Sequence, residues 1–252
     1  MQPAEVVPAA GRHGHPNPLL TDHRRAFLYG GVLIALTVGM LLGVGVHPSA
    51  LAPITTLPVI GRVDASFYDA TVRIRGPVLT AVFKVFDLTG KGIVTIPLRI
   101  ALLTVLLWRR RWGAACAFAI VWLVSEVGVE VLKVTYHRGR PPLPLVTTAG
   151  SYSFPSGHAT AGAAIAVSVV LAFFPHGASR RKWIAAAIAF AFAMAFSRVY
   201  LGVHWLSDVE TGVLLGTSVA LLTFAAVDEI RHAALRRGGV QAPAVGEVAP
   251  AG

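Results

Sequence analysis

The chain has 252 residues, 55% of them hydrophobic and only 13% charged, with a mean hydropathy of +0.66. Soluble domains carry about 25% charged residues, so this composition excludes an ordinary soluble domain and points to an integral membrane protein. The formal net charge of +10 would suit a nucleic-acid partner. However, the cations sit in short runs between apolar stretches, as topology signals do, and no basic face interleaved with aromatics supports nucleic-acid binding.

Residues 1–25 are rich in Pro, Gly, Ala and His and end in Arg24 and Arg25, which predicts a flexible tail. The apolar run over 26–46 is long enough to span a bilayer. Ser49-Ala50-Leu51-Ala52 has the small-residue look of a signal-peptidase site. The run before it is too long for a signal h-region, so the segment reads as a retained first helix. Residues 47–91 mix Asp64, Tyr68, Asp69, Arg73 and Arg75 with apolar residues and are broken by Pro and Gly. The expectation is an extracytoplasmic loop carrying one or two interfacial helices.

Five further apolar spans follow at about 93–108, 113–134, 156–174, 183–196 and 203–227, with Arg99 the one charge inside the first of them. The predicted fold class is thus all-α: a polytopic six-transmembrane helix bundle over 26–227. The Gly-, Pro- and Ala-rich remainder, 228–252, reads as a disordered tail. Arg24-Arg25, Arg109-Arg110-Arg111, Arg180-Arg181-Lys182 and Arg231 with Arg236 and Arg237 all fall on one side of that bundle. The positive-inside rule makes this side, with both termini, cytoplasmic at the cell membrane. Cys116 is the single cysteine, which rules out a disulfide framework, and it reads as a small buried apolar residue.

Three short segments fall on the opposite, extracytoplasmic side. In Pro155-Ser156-Gly157-His158, proline and serine start a helix. The exposed N–H groups and dipole of such a start attract an anion, and Gly157 allows close approach. Ser156 adds a hydroxyl, and His158 is placed to pass a proton to a leaving oxygen. His204 and Asp208 are four residues apart, one helical turn. A carboxylate on one ring nitrogen frees the other to attack. Arg198 precedes His204 by six residues, and Lys133 precedes Arg140-Pro141 by seven and eight. Three such cations suit the charge spread over a transferring phosphoryl group.

Together these segments, Lys133-x6-Arg140-Pro141, Pro155-Ser156-Gly157-His158 and Ser197-Arg198-x5-His204-x3-Asp208, resemble the type 2 phosphatidic acid phosphatase (PAP2) superfamily at every motif position. The resemblance implies that His204 attacks phosphorus and becomes phosphohistidine, oriented by Asp208. It further implies that His158 protonates the leaving oxygen and then activates water. Lys133, Arg140, Ser156, Gly157 and Arg198 would hold the phosphate, with no metal and no cofactor. The implied activity is phosphatase action on a membrane lipid partner. The candidates are an isoprenoid diphosphate such as undecaprenyl diphosphate, or a glycerolipid phosphate such as phosphatidic acid or phosphatidylglycerol phosphate.

Two alternatives stand beside it. One is a lipid phosphotransferase that hands the same phosphoryl group to an alcohol or sugar. The other is a non-enzymatic transporter with a basic vestibule, which would have no use for an ordered nucleophile. Glu126 and Glu130 share a helical face with Lys133 and are expected to pair with it, tune it or line the bundle. His137 is expected in an exposed loop, Glu210 at the site rim or against a helix neighbour, and Arg99 in a polar pocket or snorkelling outward.

Overall fold

In a computed structural model, residues 23–45, 57–142, 147, 150, 152–174 and 178–237 are described. Of the residues read from sequence as tails, 1–22 and 238–252 lie outside them, as do 47–56 of the expected loop. The described residues form eight α-helices. These are α1 (His23–Val44), α2 (Pro58–Arg73), α3 (Pro77–Gly90), α4 (Gly92–Trp108), α5 (Trp112–Tyr136), α6 (Gly157–Phe173), α7 (Ala178–Tyr200) and α8 (Leu206–Arg237).

Helices α1, α5, α7 and α8 are long and apolar enough to cross a membrane, and α3 with α4 forms a fifth candidate bent by 52°. The six-span expectation is therefore met outright by four helices. α4 and α6 have 17 residues each, about 25 Å at 1.5 Å per residue and short of a roughly 30 Å hydrocarbon core. Large apolar side chains such as Leu42, Ile93, Trp108 and Phe192 point outward, as expected where lipid rather than water surrounds the bundle. Cys116 also lies on the outside of α5, contrary to the buried place expected for it. An outward apolar face needs no burial when the neighbour is lipid.

α8 is the hub, packing most heavily on α6 and α1. Gly212 and Gly216 make this possible. A Cβ at either would collide with backbone of α6, at Ser156 O and Thr160 O, the small-xxx-small device of close helix contact. The core away from the motifs joins Leu106, Phe118, Ala164 and Phe224. α8 continues to Arg237, ten residues past the expected end of the bundle. Its last turns carry an Arg231–Asp228 pair (3.6 Å) at i, i+3, a spacing that supports a helix, with Asp228 buried, and an exposed Arg236–Glu229 pair (3.0 Å). Arg111 donates to Ala172 O, and Gly113 packs against Arg231. The basic start of α5, the end of α6 and the basic end of α8 thus meet at one end of the bundle, opposite the motif segments.

Residues 58–90, expected as one or two interfacial helices, form α2 and α3. They pack on α7, α8 and α6. Tyr200 OH accepts from Gly76 N–H and lies 3.0 Å from Thr80 Oγ1, and Arg75 Nε donates to Tyr200 O. The link between α2 and α3 is thereby pinned to the end of α7, close to the motif residues.

Candidate active site

The chain turns between α7 and α8 through a left-handed Gly202, φ 78°, a conformation glycine adopts without strain. α8 begins at Leu206, so His204 lies in the turn ahead of the helix and Asp208 in its first turn. This corrects the expectation that both share a helical face. The cause is a capping arrangement: Trp205 N–H donates to Asp208 Oδ2 at 2.9 Å, the carboxylate at the third helical position reaching back to the residue before the helix. His204 is buried, with Nδ1 3.5 Å from Asp208 Oδ2 and Nε2 3.4 Å from a terminal nitrogen of Arg140. Nδ1 has no other partner, so its proton is available to Asp208 alone. Burial pushes the His204 imidazole down to about 3. Asp208 pulls the other way, and Arg198 and Arg140 add to the lowering. The ring is therefore neutral, the form that carries a free electron pair.

Asp208 is held in turn by a network. Arg138, completely buried, donates to Asp208 Oδ1, to Ser207 Oγ at 2.7 Å and to Asp64 Oδ2 at 2.6 Å. Asp64, from α2, also accepts from Ser207 N–H (2.8 Å) and Ser207 Oγ–H (2.6 Å). Burial works against the Arg138 charge, but Asp208 and Asp64 outweigh it and raise its pKa above the ordinary value. A cation so held requires both carboxylates, because a buried charge without partners costs several kcal/mol, on the order of 3–5 when one partner is removed. Trp205 closes the cluster, its Nε1–H donating to Gly139 O at 2.9 Å and its ring facing Tyr68 at 5.9 Å.

The start of α6 is tied to the same place. Ser156 N–H donates to Asp208 O at 3.0 Å. Ser156 is the N-cap, its Oγ accepting from Ala159 N–H at 3.4 Å, a cap worth about 1 kcal/mol. The helix thus begins at Gly157, two residues later than a start at the proline would place it, with the Ser156 hydroxyl used as its cap and the first N–H groups of α6 facing the site. Lys133 Nζ would lie 3.9 Å from a Cβ on Gly157, so the ammonium sits over the glycine. It also pairs with Glu130 at 2.9 Å. α5 ends at Tyr136 with His137 left-handed, φ 47°. This turn sends Arg138 and Arg140 back towards α8. His137 is half-buried and meets Tyr152 edge-on at 4.6 Å, rather than standing in an exposed loop.

Arg140 is fixed by three backbone carbonyls, those of Gly150 (2.9 Å), Tyr152 (2.8 Å) and Val203 (2.5 Å). Its guanidinium therefore points at His204 without a carboxylate of its own. Burial lowers its pKa, and Asp208 opposes that. Arg198 is different: it is paired with the buried Asp87 of α3. Asp87 also meets Lys91 Nζ at 3.2 Å and accepts from Thr147 Oγ1 at 3.0 Å. His158 Nε2 lies 3.2 Å from Asp87 O and 3.5 Å from Asp87 Oδ1. The α3–α4 elbow seats this ring so closely that a methyl group at Gly90 would collide with it.

All eight residues singled out from the sequence therefore converge: His204 and Asp208 with Arg140 and Ser156 on one side, and Lys133, Gly157, His158 and Arg198 on the other. Asp64, Arg138 and Asp87 were missed. Arg138 stood inside the Lys133–Arg140 window, and Asp64 shares the inward face of α2 with Tyr68 and Thr71. A buried polar stripe on an otherwise amphipathic helix was the available signal. Among the described residues no group of three or more His, Cys, Asp and Glu could hold a metal ion.

A neutral histidine backed by a carboxylate, facing an anchored guanidinium and a helix N-terminus, is phosphoryl-transfer equipment. A family model, the PAP2 superfamily, matches residues 101–231, more than half of the chain, and the chain belongs to that superfamily. Phosphatidylglycerophosphatase B of Bacillus subtilis is 28% identical over 184 residues, 70% of this chain and 85% of that protein. Undecaprenyl-diphosphatase of Sulfolobus acidocaldarius is 33% identical over 138 residues, 53% of this chain and 64% of its own length. The crystal structure of the transmembrane PAP2-type phosphatidylglycerolphosphate phosphatase from B. subtilis superposes with a TM-score of 0.61 at 24% identity. The superposition covers 85% of this chain and 98% of that one, and shows the shared fold. The chain is an enzyme of the phosphatase class in a membrane-protein fold.

Proposed function

We propose that this protein is an integral membrane lipid phosphatase that works through a phosphohistidine at the extracytoplasmic face of a six-span bundle. The observation that carries it is the placement of His204: Nε2 beside the anchored Arg140, Nδ1 towards Asp208, and the ring held neutral. Nε2 attacks phosphorus as the bond to the leaving oxygen breaks, and His158 supplies that oxygen with a proton. Arg140, Arg198, Lys133 and the N–H groups around Ser156 and Gly157 stabilise the equatorial oxygens. His158, now a base, takes a proton from water. The water oxygen bonds to phosphorus, the P–N bond breaks, and His204 is restored with phosphate released.

Asp87 is a positioning residue in this scheme, holding Arg198 and the His158 ring as Asp208 holds His204. The loop clusters of arginine gathered at the opposite end of the bundle support the outward-facing assignment. The test is phosphate release by detergent-purified protein, in EDTA, from undecaprenyl diphosphate and from phosphatidic acid, with His204→Ala alongside. The expected result is release that survives EDTA and disappears in the variant. Activity retained by His204→Ala, or lost in EDTA, would overturn the mechanism.

A further inference from the structure

A cavity of about 830 Å³ runs along α7, walled by α6 and α8, with Tyr29 of α1 near one end and Phe67 of α2 near the other. Apart from Tyr29, Arg180, Glu210 and Thr217 its lining is apolar. Ile188 and Phe192 stand exposed at its lip, so it is a groove open to the hydrocarbon of a bilayer. None of the residues proposed to touch phosphate lines it. Arg180 lies 18 residues before Arg198 on α7, about 27 Å along the helix axis, at the end of the bundle opposite the motif segments.

Arg180 makes this groove more than a lipid-facing surface. Its neighbours Arg181 and Lys182 are exposed, as snorkelling cations at an interface are. Arg180 is only 8% exposed and lines the groove instead. It has no hydrogen bond or ion pair with any described residue. A buried cation without a counter-charge is costly, so its partner comes from outside the described residues. Trp183, one turn on, is partly exposed and stacks on Phe174 at 4.1 Å. Tryptophan favours the level of lipid headgroups, which puts the guanidinium at the depth of a lipid phosphate. A guanidinium holds phosphate through two parallel hydrogen bonds, and the apolar groove beyond it takes a chain. Arg181 and Lys182 favour a headgroup of net negative charge over a zwitterionic one. A second copy of this protein fits less well. Of the described carboxylates at this end, Asp228 is buried and Glu229 pairs with Arg236, which leaves none to meet Arg180 of a neighbour.

We propose that this groove is a binding site for an anionic phospholipid of the cytoplasmic leaflet, its phosphate held by Arg180 and one acyl chain laid along α7. The leaflet follows from the orientation proposed above. The site is separate from the reaction, and the lipid bound there stabilises the fold by mass action.

The experiment titrates the full chain in detergent with dioleoylphosphatidylglycerol, a diester without a terminal phosphate, and with dioleoylphosphatidylcholine. Bound lipid is counted by native mass spectrometry and Tm is followed in parallel, for the parent, Arg180→Gln, Ala187→Phe and His204→Ala. The parent is expected to retain one phosphatidylglycerol in preference to phosphatidylcholine and to gain Tm from it. Arg180→Gln is expected to weaken that binding by about tenfold and to cancel the gain. With phosphatidylcholine alone its Tm is expected to match or exceed the parent's, because an unpaired buried charge has gone. Ala187→Phe fills the groove and is expected to lose the lipid, whereas His204→Ala is expected to keep it. Equal retention of phosphatidylglycerol by the parent and Arg180→Gln, or of both lipids by the parent, would overturn the site. So would a lower Tm of Arg180→Gln in phosphatidylcholine, which would show a partner for Arg180 within the chain. Slower phosphate release by Ala187→Phe with phosphatidylglycerol still bound would give the groove to the substrate's tail. A lipid-free dimer of the parent, broken by Ala187→Phe, would give it to a second copy. Either result would overturn the proposal, and neither depends on how His204 performs.

Discussion

Two regions build this site in different ways. The motif segments at Lys133–Arg140, Ser156–His158 and Arg198–Asp208 supply every group proposed to touch phosphate, at fixed spacings along the chain. The α2–α3 region supplies none of those groups, yet each half of the site leans on it. Asp64 reaches Asp208 through Arg138, and Asp87 reaches Arg198 and His158. A short motif can specify which groups do the chemistry. Holding those groups still in a buried, charged pocket takes counter-charges from elsewhere in the fold.

The sharpest way to break this comparison is to remove the buried cation. Arg138→Met would leave Asp64 and Asp208 buried and unpaired, a loss of roughly 3–5 kcal/mol, read as a large fall in Tm in detergent together with lost activity. An unchanged Tm would show that the network is ornamental. Asp87→Asn keeps the shape and removes the charge. It is expected to lower kcat/KM on an alkyl phosphate by about 10²-fold, a general-acid share, and to lower it less on p-nitrophenyl phosphate, whose leaving group departs without a proton and whose loss reports the loosened Arg198 alone. Equal losses in kcat/KM on both substrates would show that Asp87 acts through Arg198 or the fold and not through His158.

A third test concerns pH. His204 faces Asp208 from α8, Arg198 from α7 and Arg140 from the loop after α5, and burial dominates, so its pKa lies near 3 rather than 6.5. Lowering the pH from 7 to 5 crosses the ordinary value but not the actual one, so the ring stays neutral and nucleophilic. The ¹⁵N resonances of a histidine-labelled protein should show no titration of His204 in that window, and a midpoint between 5 and 7 would contradict the burial account. At the small end, Asp69 lies on the exposed face of α2. Asp69→Asn should change stability by less than about 0.5 kcal/mol, which separates the two inward aspartates from a neighbour of the same type.

The sequence made the helices legible because apolar runs bounded by basic clusters leave few alternatives in a bilayer. It made the motif residues legible because their spacing is local. The pairs it hid are tertiary: Asp64 with Arg138, 74 residues apart, and Asp87 with Arg198, 111 apart. Nothing near Asp64 or Asp87 distinguishes an inward carboxylate from the solvated Asp69 until the helix face is known. His204 reads as a residue of the helix for a related reason. A four-residue spacing reads as one helical turn, whereas Asp208 caps the helix that starts after His204.

The account stands most directly on a covalent bond between His204 and phosphorus. Rapid mixing with ³²P-labelled lipid phosphate, an alkaline quench that preserves phosphohistidine, and peptide mapping would find it. The account predicts label on the peptide carrying His204 in the parent, and none in His204→Ala. Phosphate release at the parent's full rate with no label on that peptide, under conditions where the chemical step is resolved, would contradict it.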